Sequence, residues 1–481
     1  MELVGAFAST DFGIRFFYDV RYVQRGEEKG EFGISESMPL DFGCYEPQEY
    51  APFFQGLLPE GVVLANLAER FQVPRNDFLA FFEKLGCESI GALTFVAEGS
   101  RLTDFKPSYA PLENSVVEQL REDAERAVTE MTDELRLSLS GAQSKVAWYL
   151  PEEVEALSDW KLPLGTAPSS HIVKVARRGR EELAYNEFVC MEIARQCGFA
   201  TPDVALIPEI PGAIAVKRYD RVLLGEDGLL RLHQEDFCQA RGLPLYLKYA
   251  DAHPEVSYVQ VIAKLVDAVS ERPAQERLEM ARRLLFHYLI GNSDNHLKNY
   301  AFLYSEDWKH RALAPLYDLT CIPLTGYSTK MAFALGAHRE LSDITTDDLA
   351  RTAEDMRVSR KAAKEEARLL AERFEAIHPT SFVEFDTQPI EGFDDIGFCA
   401  RDETLRVGIF DAENHVSAVL FGEEVVIEGG TYTADVQGSR GTWGETHTDF
   451  SFCCFHRICR VLFCGCKKQV YVLFPFIEFV E

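Results

Sequence analysis

The sequence predicts an α+β fold in two lobes, a β-rich lobe with one helix followed by a mainly helical lobe. A small N-terminal α/β subdomain precedes them and a β-rich appendage follows. Three observations carry this reading. Apolar and polar residues alternate at strand spacing through 135–218, with one helical interruption from Glu181 to Gly198. Over 255–290 and 347–377 the spacing becomes that of long amphipathic helices, with Leu and Ala set against Arg, Lys and Glu. Between those helical stretches a polar island, Asn292 to Asn299, interrupts two apolar runs.

Taken in order, residues 1–40 alternate (Leu3, Gly5, Phe7; Ile14, Phe16, Tyr18) and predict a small antiparallel meander. From Gln48 to Leu85 the period is helical, with apolar faces at Phe53, Phe54 and Leu57, at Val63, Leu67 and Phe71, and at Phe78, Phe81, Phe82 and Leu85. Pro59-Glu60-Gly61 and Pro74-Arg75-Asn76-Asp77 separate these faces as breakers and caps. Gly91 to Val96 is expected to be a closing strand, which completes a subdomain over 1–98 with no chemistry of its own. Residues 99–134 are polar, with a helix expected near Val116 to Met131, and form a connector. The β-rich lobe then spans 135–222, the helical lobe 223–378 and the appendage 379–481.

A length of 481 residues suffices for two or three domains with sizeable cores. The excess of 77 Asp and Glu over 49 Lys and Arg gives a formal charge of −28, which argues against broad direct contact with nucleic acid or an anionic membrane. Glu2 stands where a signal peptide would be positive, and the apolar run Val470 to Val480 is short for a membrane span and contains Pro475 and Glu478. The expected compartment is the cytoplasm. Of twelve cysteines, seven lie singly in the first 400 residues and are expected to be reduced core thiols. Cys453, Cys454, Cys459, Cys464 and Cys466 crowd the end, but their spacing does not match the paired knuckles of structural zinc.

The chemistry centres on LIGNSDNHLKNYAF, Leu289 to Phe302, where Asp294 and Asn299 stand as D-x-x-x-x-N. Phosphoryl transfer needs such a pair, an Asp to take a hydroxyl proton and an Asn oxygen for Mg²⁺. The same stretch also fits a helix that ends at Gly291 and a solvated turn after it. Four further pieces fall in the order a kinase needs. Ser138-Leu-Ser-Gly141-Ala-Gln-Ser-Lys145 is a turn with small residues that let backbone amides approach phosphate. Lys174 is the polar residue in the strand His171 to Val175, either a phosphate-gripping lysine or an edge residue reaching to water. Glu187 follows on the next helix, placed to pair with it, and Ala213 to Tyr219 reads as a strand that runs into a link between lobes. Asp318 ends the apolar stretch Leu316-Tyr317, where a second metal-binding carboxylate belongs.

With these pieces in order, the chain resembles the HipA-type serine/threonine kinases, toxin partners of bacterial toxin–antitoxin pairs. The resemblance rests on Ser37-Met-Pro-Leu, Phe54-Gln-Gly-Leu-Leu-Pro-Glu-Gly61, Gly91-Ala-Leu93, Leu139 to Lys145, His171-Ile-Val-Lys174 and Asn186-Glu-Phe188. It continues through Lys217-Arg-Tyr-Asp-Arg221, Arg231 to Ala240, Ile290 to Asn299 and Leu313 to Asp318, and so covers about residues 1–375. The resemblance implies a two-lobed protein-kinase-like fold that uses ATP and Mg²⁺. Ser140, Gly141, Ala142, Gln143, Ser144 and Lys145 would form the phosphate loop, and Lys174 would hold phosphates. Lys217, Arg218, Tyr219 and Tyr317 would line the nucleotide, and Asp294 would be the catalytic base. His296, Lys298 and Asn299 would contact nucleotide and metal, with Asn299 and Asp318 as the Mg²⁺ ligands. Ser138, or Ser140 in second place, would be autophosphorylated and switch the enzyme off.

The resemblance also implies a small helix-turn-helix antitoxin as partner, DNA contact only through it, and a protein substrate, the family's known targets being aminoacyl-tRNA synthetases. It departs at Lys217 and Tyr219, where the family often has Glu and Phe, and at 379–481, beyond the family's usual end. A non-catalytic co-repressor and a small-molecule phosphotransferase are the competing readings; Lys174, Asp294, Asn299 and Asp318 are all present, as catalysis requires. The apolar, cysteine-rich end has no alternating polar face and is expected to lie outside the catalytic unit. Truncation after residue 380 should therefore leave ATP binding and autophosphorylation intact and raise solubility. Loss of activity in a folded truncated protein would assign the appendage a part in the site.

Overall fold

The computed structural model describes residues 2–377, apart from 87, 101–105, 142, 151–156 and 225–227. The appendage at 379–481 and its cysteines lie outside the described residues. Among the described residues, no helix is long and apolar enough to cross a membrane.

The chain opens with an antiparallel hairpin, Gly5–Thr10 on Gly13–Tyr18. Where further strands are expected a helix follows instead, Val20–Lys29. Asp19 caps it by accepting from the Arg21 amide, and Tyr22, Val23 and Gly26 make its buried face. The three predicted apolar faces are carried by helices Pro47–Gln55, Gly61–Phe71 and Phe78–Lys84. Phe54 sits among the rings of Phe7, Phe16, Tyr50, Phe53, Phe78, Phe82 and Phe95. The expected strand Gly91 to Val96 is irregular, because its polar groups face other partners. The Gly91 amide donates to Asp220 at 3.0 Å, and the Leu93 carbonyl accepts from the Ser89 hydroxyl at 2.6 Å.

In the connector, Asp123 splits the expected helix in two, Asn114–Glu122 and Ala124–Glu134, and caps the second through the Arg126 amide. Its apolar side chains join one core with those of the first subdomain and with Val146, Trp148, Val173 and Val175 of the following sheet. That sheet has four antiparallel strands, in the spatial order Lys145–Trp148, His171–Val175, Ala213–Lys217, Val204–Leu206. The helix Glu182–Gln196 packs on it.

The second core belongs to the helical lobe. Each of its two long predicted helices is broken. Pro273 opens Pro273–Leu289 after Tyr258–Val269, and Arg357, in left-handed backbone at φ 55°, separates Thr346–Asp355 from Arg360–Ala376. A small three-stranded sheet, Gln234–Asp236, Ala301–Tyr304 and Arg311–Leu313, supports the catalytic stretch from below.

The link between lobes is held by buried charge. Glu88 Oε1 accepts from Arg218 and from Arg221, each at 2.9 Å, and its other oxygen pairs with Arg231. Asp220 bridges Arg218 and Arg221 at 2.7 and 2.9 Å. Burial alone would raise the Glu88 carboxyl, but the charges of Arg231, Arg221 and Arg218 outweigh it and hold it at about 2. A carboxyl lowered in this way contributes stability above its ordinary value of ~4.3, and that contribution is lost as pH falls towards 2. Glu88→Gln removes the carboxylate shared by three guanidinium groups and should cost ~3–5 kcal/mol in denaturant unfolding at pH 7, with a smaller difference at pH 3.

Candidate active site

The helix Pro273–Leu289 ends at Ile290, and Gly291 turns the chain at φ 69°. A Cβ at Gly291 would lie 3.1 Å from the Pro323 ring, so the residue is glycine for its close approach as well as its turn. Beyond it the polar island folds on itself. The Asn292 amide donates to the His287 carbonyl at 2.8 Å, and Ser293 Oγ donates to the Ser328 carbonyl at 2.8 Å. The Asp294 carbonyl accepts from the His296 amide and from Asn299 Nδ2, each at 2.8 Å. That bond uses the side-chain nitrogen of Asn299 and not its oxygen. Asp294 itself is exposed at the tip of the loop, and its Oδ1 accepts from the Tyr249 hydroxyl at 2.6 Å.

Lys174 Nζ lies 2.5 Å from Glu187 Oε1 and 2.7 Å from Asp318 Oδ1. Glu187 and Lys174 are buried, while the Asp318 side chain keeps 37% of its surface exposed. Burial disfavours the Lys174 ammonium, but Asp318 and Glu187 outweigh it and hold it above its ordinary range. Burial likewise raises Glu187, whereas at Asp318 the Lys174 and Lys145 charges overcome burial and keep the carboxylate ionised. Asp318 takes left-handed backbone at φ 58°, a conformation Asp tolerates better than most side chains. Lys145 stands directly opposite Lys174 in strand register, so both amines share one face of the sheet. Desolvation first, and the Lys174 charge second, lower Lys145 to about 8.

The loop before Lys145 is pinned at several atoms. The Gly141 carbonyl accepts from the Glu60 amide at 2.9 Å, Ser140 Oγ accepts from Lys298 Nζ at 2.7 Å, and the Ser144 carbonyl accepts from the Val175 amide at 2.9 Å. Gly141 adopts φ 109°, and Gln143 lines a small recess with Pro59, Val63 and Leu139. Ala142 lies outside the described residues, as does the side chain of Ser138, whose backbone pairs with Ser89.

The residues expected around the nucleotide divide. Tyr219 and Tyr317 lie together with ring centroids 5.8 Å apart, and the Tyr317 hydroxyl donates to the Lys298 carbonyl at 2.8 Å. Lys217 is exposed at the link. The guanidinium of Arg218 is committed to Glu88 and Asp220, so its side chain serves the link and not the cleft. Lys298 is also committed, to Ser140 Oγ, the Gly56 carbonyl at 3.1 Å and Glu60 at 3.0 Å. His296 is buried against Tyr249, and burial lowers its imidazole. Sequence reasoning missed Glu60, Lys248 and Tyr249; the stretch Phe54 to Gly61 was visible there only as a breaker and a resemblance.

Among the described residues, no group of three or more His, Cys, Asp and Glu is placed to hold a metal. Asn299 and Asp318 offer one amide oxygen and one carboxylate. That set suits Mg²⁺, which takes few protein ligands when phosphates and water complete its shell.

The model of the HipA-like C-terminal domain matches residues 137–378, and that of the HipA N-terminal domain matches residues 1–96. The chain belongs to the HipA family. Y4mE of Sinorhizobium fredii is 32% identical over 72% of this HipA-family chain and 81% of its own length. The serine/threonine-protein kinase toxin HipA of Shewanella oneidensis is 28% identical over 69% of this chain and 77% of its own. A solved Shewanella oneidensis complex of HipA, HipB and operator DNA contains a chain that superposes with TM-score 0.62 at 25% identity, covering 78% of this chain and 89% of that one. The α+β kinase-like fold of the HipA family is thus the fold of this protein.

Proposed function

We propose that this HipA-family chain is an ATP-dependent serine/threonine protein kinase and the toxin of a toxin–antitoxin pair. The observation that carries the reading is the ion triad of Lys174 with Glu187 and Asp318, formed beside the loop that presents Asp294 and Asn299. Lys174 and Lys145 would meet the phosphates, and Tyr219 and Tyr317 would flank the base. Asn299 and Asp318 would hold Mg²⁺, which neutralises charge on the transferring phosphoryl group. Asp294 would accept the proton of the incoming hydroxyl, with Tyr249 fixing the direction of its carboxylate until substrate arrives. Positioning and charge stabilisation then supply most of the rate.

The Shewanella oneidensis relative, crystallised with HipB and operator DNA, supports a small helix-turn-helix antitoxin as the partner here, with DNA reached through it. An aminoacyl-tRNA synthetase is the proposed class of protein substrate. Ser138, or Ser140 beside it, is the proposed site of autophosphorylation.

Asp294→Asn keeps the shape of the base and removes its basic oxygen. In a phosphate-transfer assay it should fold like the parent and be at least ~10²-fold slower; transfer at the parent rate would exclude Asp294 as base. Mass spectrometry after incubation with ATP should find phosphate on Ser138, and the modified protein should bind nucleotide weakly, because the added charge of roughly −1.5 to −2 sits beside the phosphate loop. Phosphate found only elsewhere, with activity intact, would sink that assignment.

A further inference from the structure

The N-terminal subdomain reaches into the cleft at one point. Glu60 precedes the helix Gly61–Phe71 and touches the phosphate loop along two routes. Its own amide donates to the Gly141 carbonyl at 2.9 Å, and Pro59 pairs with Gly141 as an isolated parallel bridge. Its carboxylate lies 3.0 Å from Lys298 Nζ, and Lys298 in turn donates to Ser140 Oγ at 2.7 Å and to the Gly56 carbonyl at 3.1 Å. The second Glu60 oxygen accepts from Lys248 Nζ at 2.8 Å. Lys298 belongs to the catalytic loop, so three separate parts of the chain meet at this one carboxylate.

We propose that Glu60 is a positioning residue of the phosphotransfer centre, clamping Ser140 and Gly141 onto the catalytic loop through Lys298 and through its own backbone. The inference rests on the kinase reading for its purpose but not for its geometry. Two of the Lys298 ammonium's donors go to Ser140 Oγ and the Gly56 carbonyl, and Glu60 Oε1 adds an ion pair at 3.0 Å. The amine is almost fully buried, and two carboxylates pair with it, Glu60 at 3.0 Å and Asp236 at 3.7 Å. Burial disfavours its charge, and Asp236 and Glu60 restore it. Asp236 lies farther off, at 3.7 Å, which leaves Glu60 as the contact partner. Removing the Glu60 charge therefore loosens the Lys298 amine, and with it the hydroxyl of Ser140.

The test is hydrogen exchange on the full-length, nucleotide-free protein. In Glu60→Gln the amides of 140–145 should exchange at least ~10-fold faster, while those of the helix Gly61–Phe71 keep the parent rate. Glu60→Asp, which retains the charge, should recover part of the protection. Lys298→Met breaks the same clamp from the other side and should loosen the same loop; combined with Glu60→Gln it should add little, because the two act through one contact. In transfer assays Glu60→Gln should raise KM for ATP more than it lowers kcat. Unchanged exchange over 140–145, equal loosening of the Gly61–Phe71 helix, or additive loosening in the double variant would overturn the assignment. Should Glu60→Gln not yield folded protein, Lys298→Met alone decides by the same exchange pattern. A parent protein that transfers no phosphate would instead overturn the kinase reading, and the exchange result would stand independently of it.

Discussion

The site depends on one buried ammonium shared by two carboxylates. Lys174 stands in the central part of the four-stranded sheet, Glu187 on the helix packed against that sheet, and Asp318 on the segment that follows the small sheet of the other lobe. Either pair alone would leave a charge or a lobe unconstrained. Together they fix the helix to the sheet and the lobes to each other, because a buried ion left without its partner costs several kcal/mol. The neighbouring amine of Lys145 lies opposite in register and carries the cost of this arrangement in its lowered affinity for a proton. On the proposed reading, a phosphate held between the two amines would relieve their mutual repulsion.

The subdomain at the N-terminus belongs to the same physical object. Its core runs unbroken into the connector and the sheet, and several of its polar contacts with the rest are buried. Glu88 gathers Arg218, Arg221 and Arg231, while Glu235 accepts from Ser35 and Tyr304, each at 2.6 Å. Burial raises the Glu235 carboxyl to about 7, because its hydrogen bonds and the Arg311 charge do not outweigh burial as the three arginines do at Glu88. The contrast shows what the guanidinium groups do at the link. With them a buried carboxylate stays ionised at any ordinary pH; without them it is held by neutral hydrogen bonds and poised to take a proton.

Much of this was legible in the sequence, for local reasons. Apolar periodicity located the helices around Phe53, Leu67 and Phe81, and residue type with chain order located Lys174, Glu187, Asp294, Asn299 and Asp318. What failed was whatever depends on a partner distant in the chain. The Gly91 to Val96 segment has strand composition, but Asp220 and Ser89 take its polar groups. Val20–Lys29 sits among alternating residues, and the cap at Asp19 decides for helix. Arg218 reads as a nucleotide residue by resemblance, yet Glu88 and Asp220 take its guanidinium. Glu60 reads as a breaker between helices, since nothing local announces that Lys248 and Lys298 will meet it.

The two loops of the site are held by different physics, and that difference matters for regulation. The catalytic loop hangs between apolar segments that are almost wholly buried, Leu289 and Ile290 on one side and Tyr300 and Phe302 on the other. To move it would unpack the core of the helical lobe. The phosphate loop is held chiefly by polar contacts, the amide of Glu60, the amine of Lys298 and the amide of Val175. Each such bond has a net worth of only ~0.5–1.5 kcal/mol, because water offers a replacement. A charge added to a serine of this loop would oppose the acidic side chains Glu60 and Asp318 at the same time as it competes for Lys298. On the proposed kinase reading, a phosphate on this loop would act against polar contacts, whereas Asp294 and Asn299 sit on a loop anchored in a packed core.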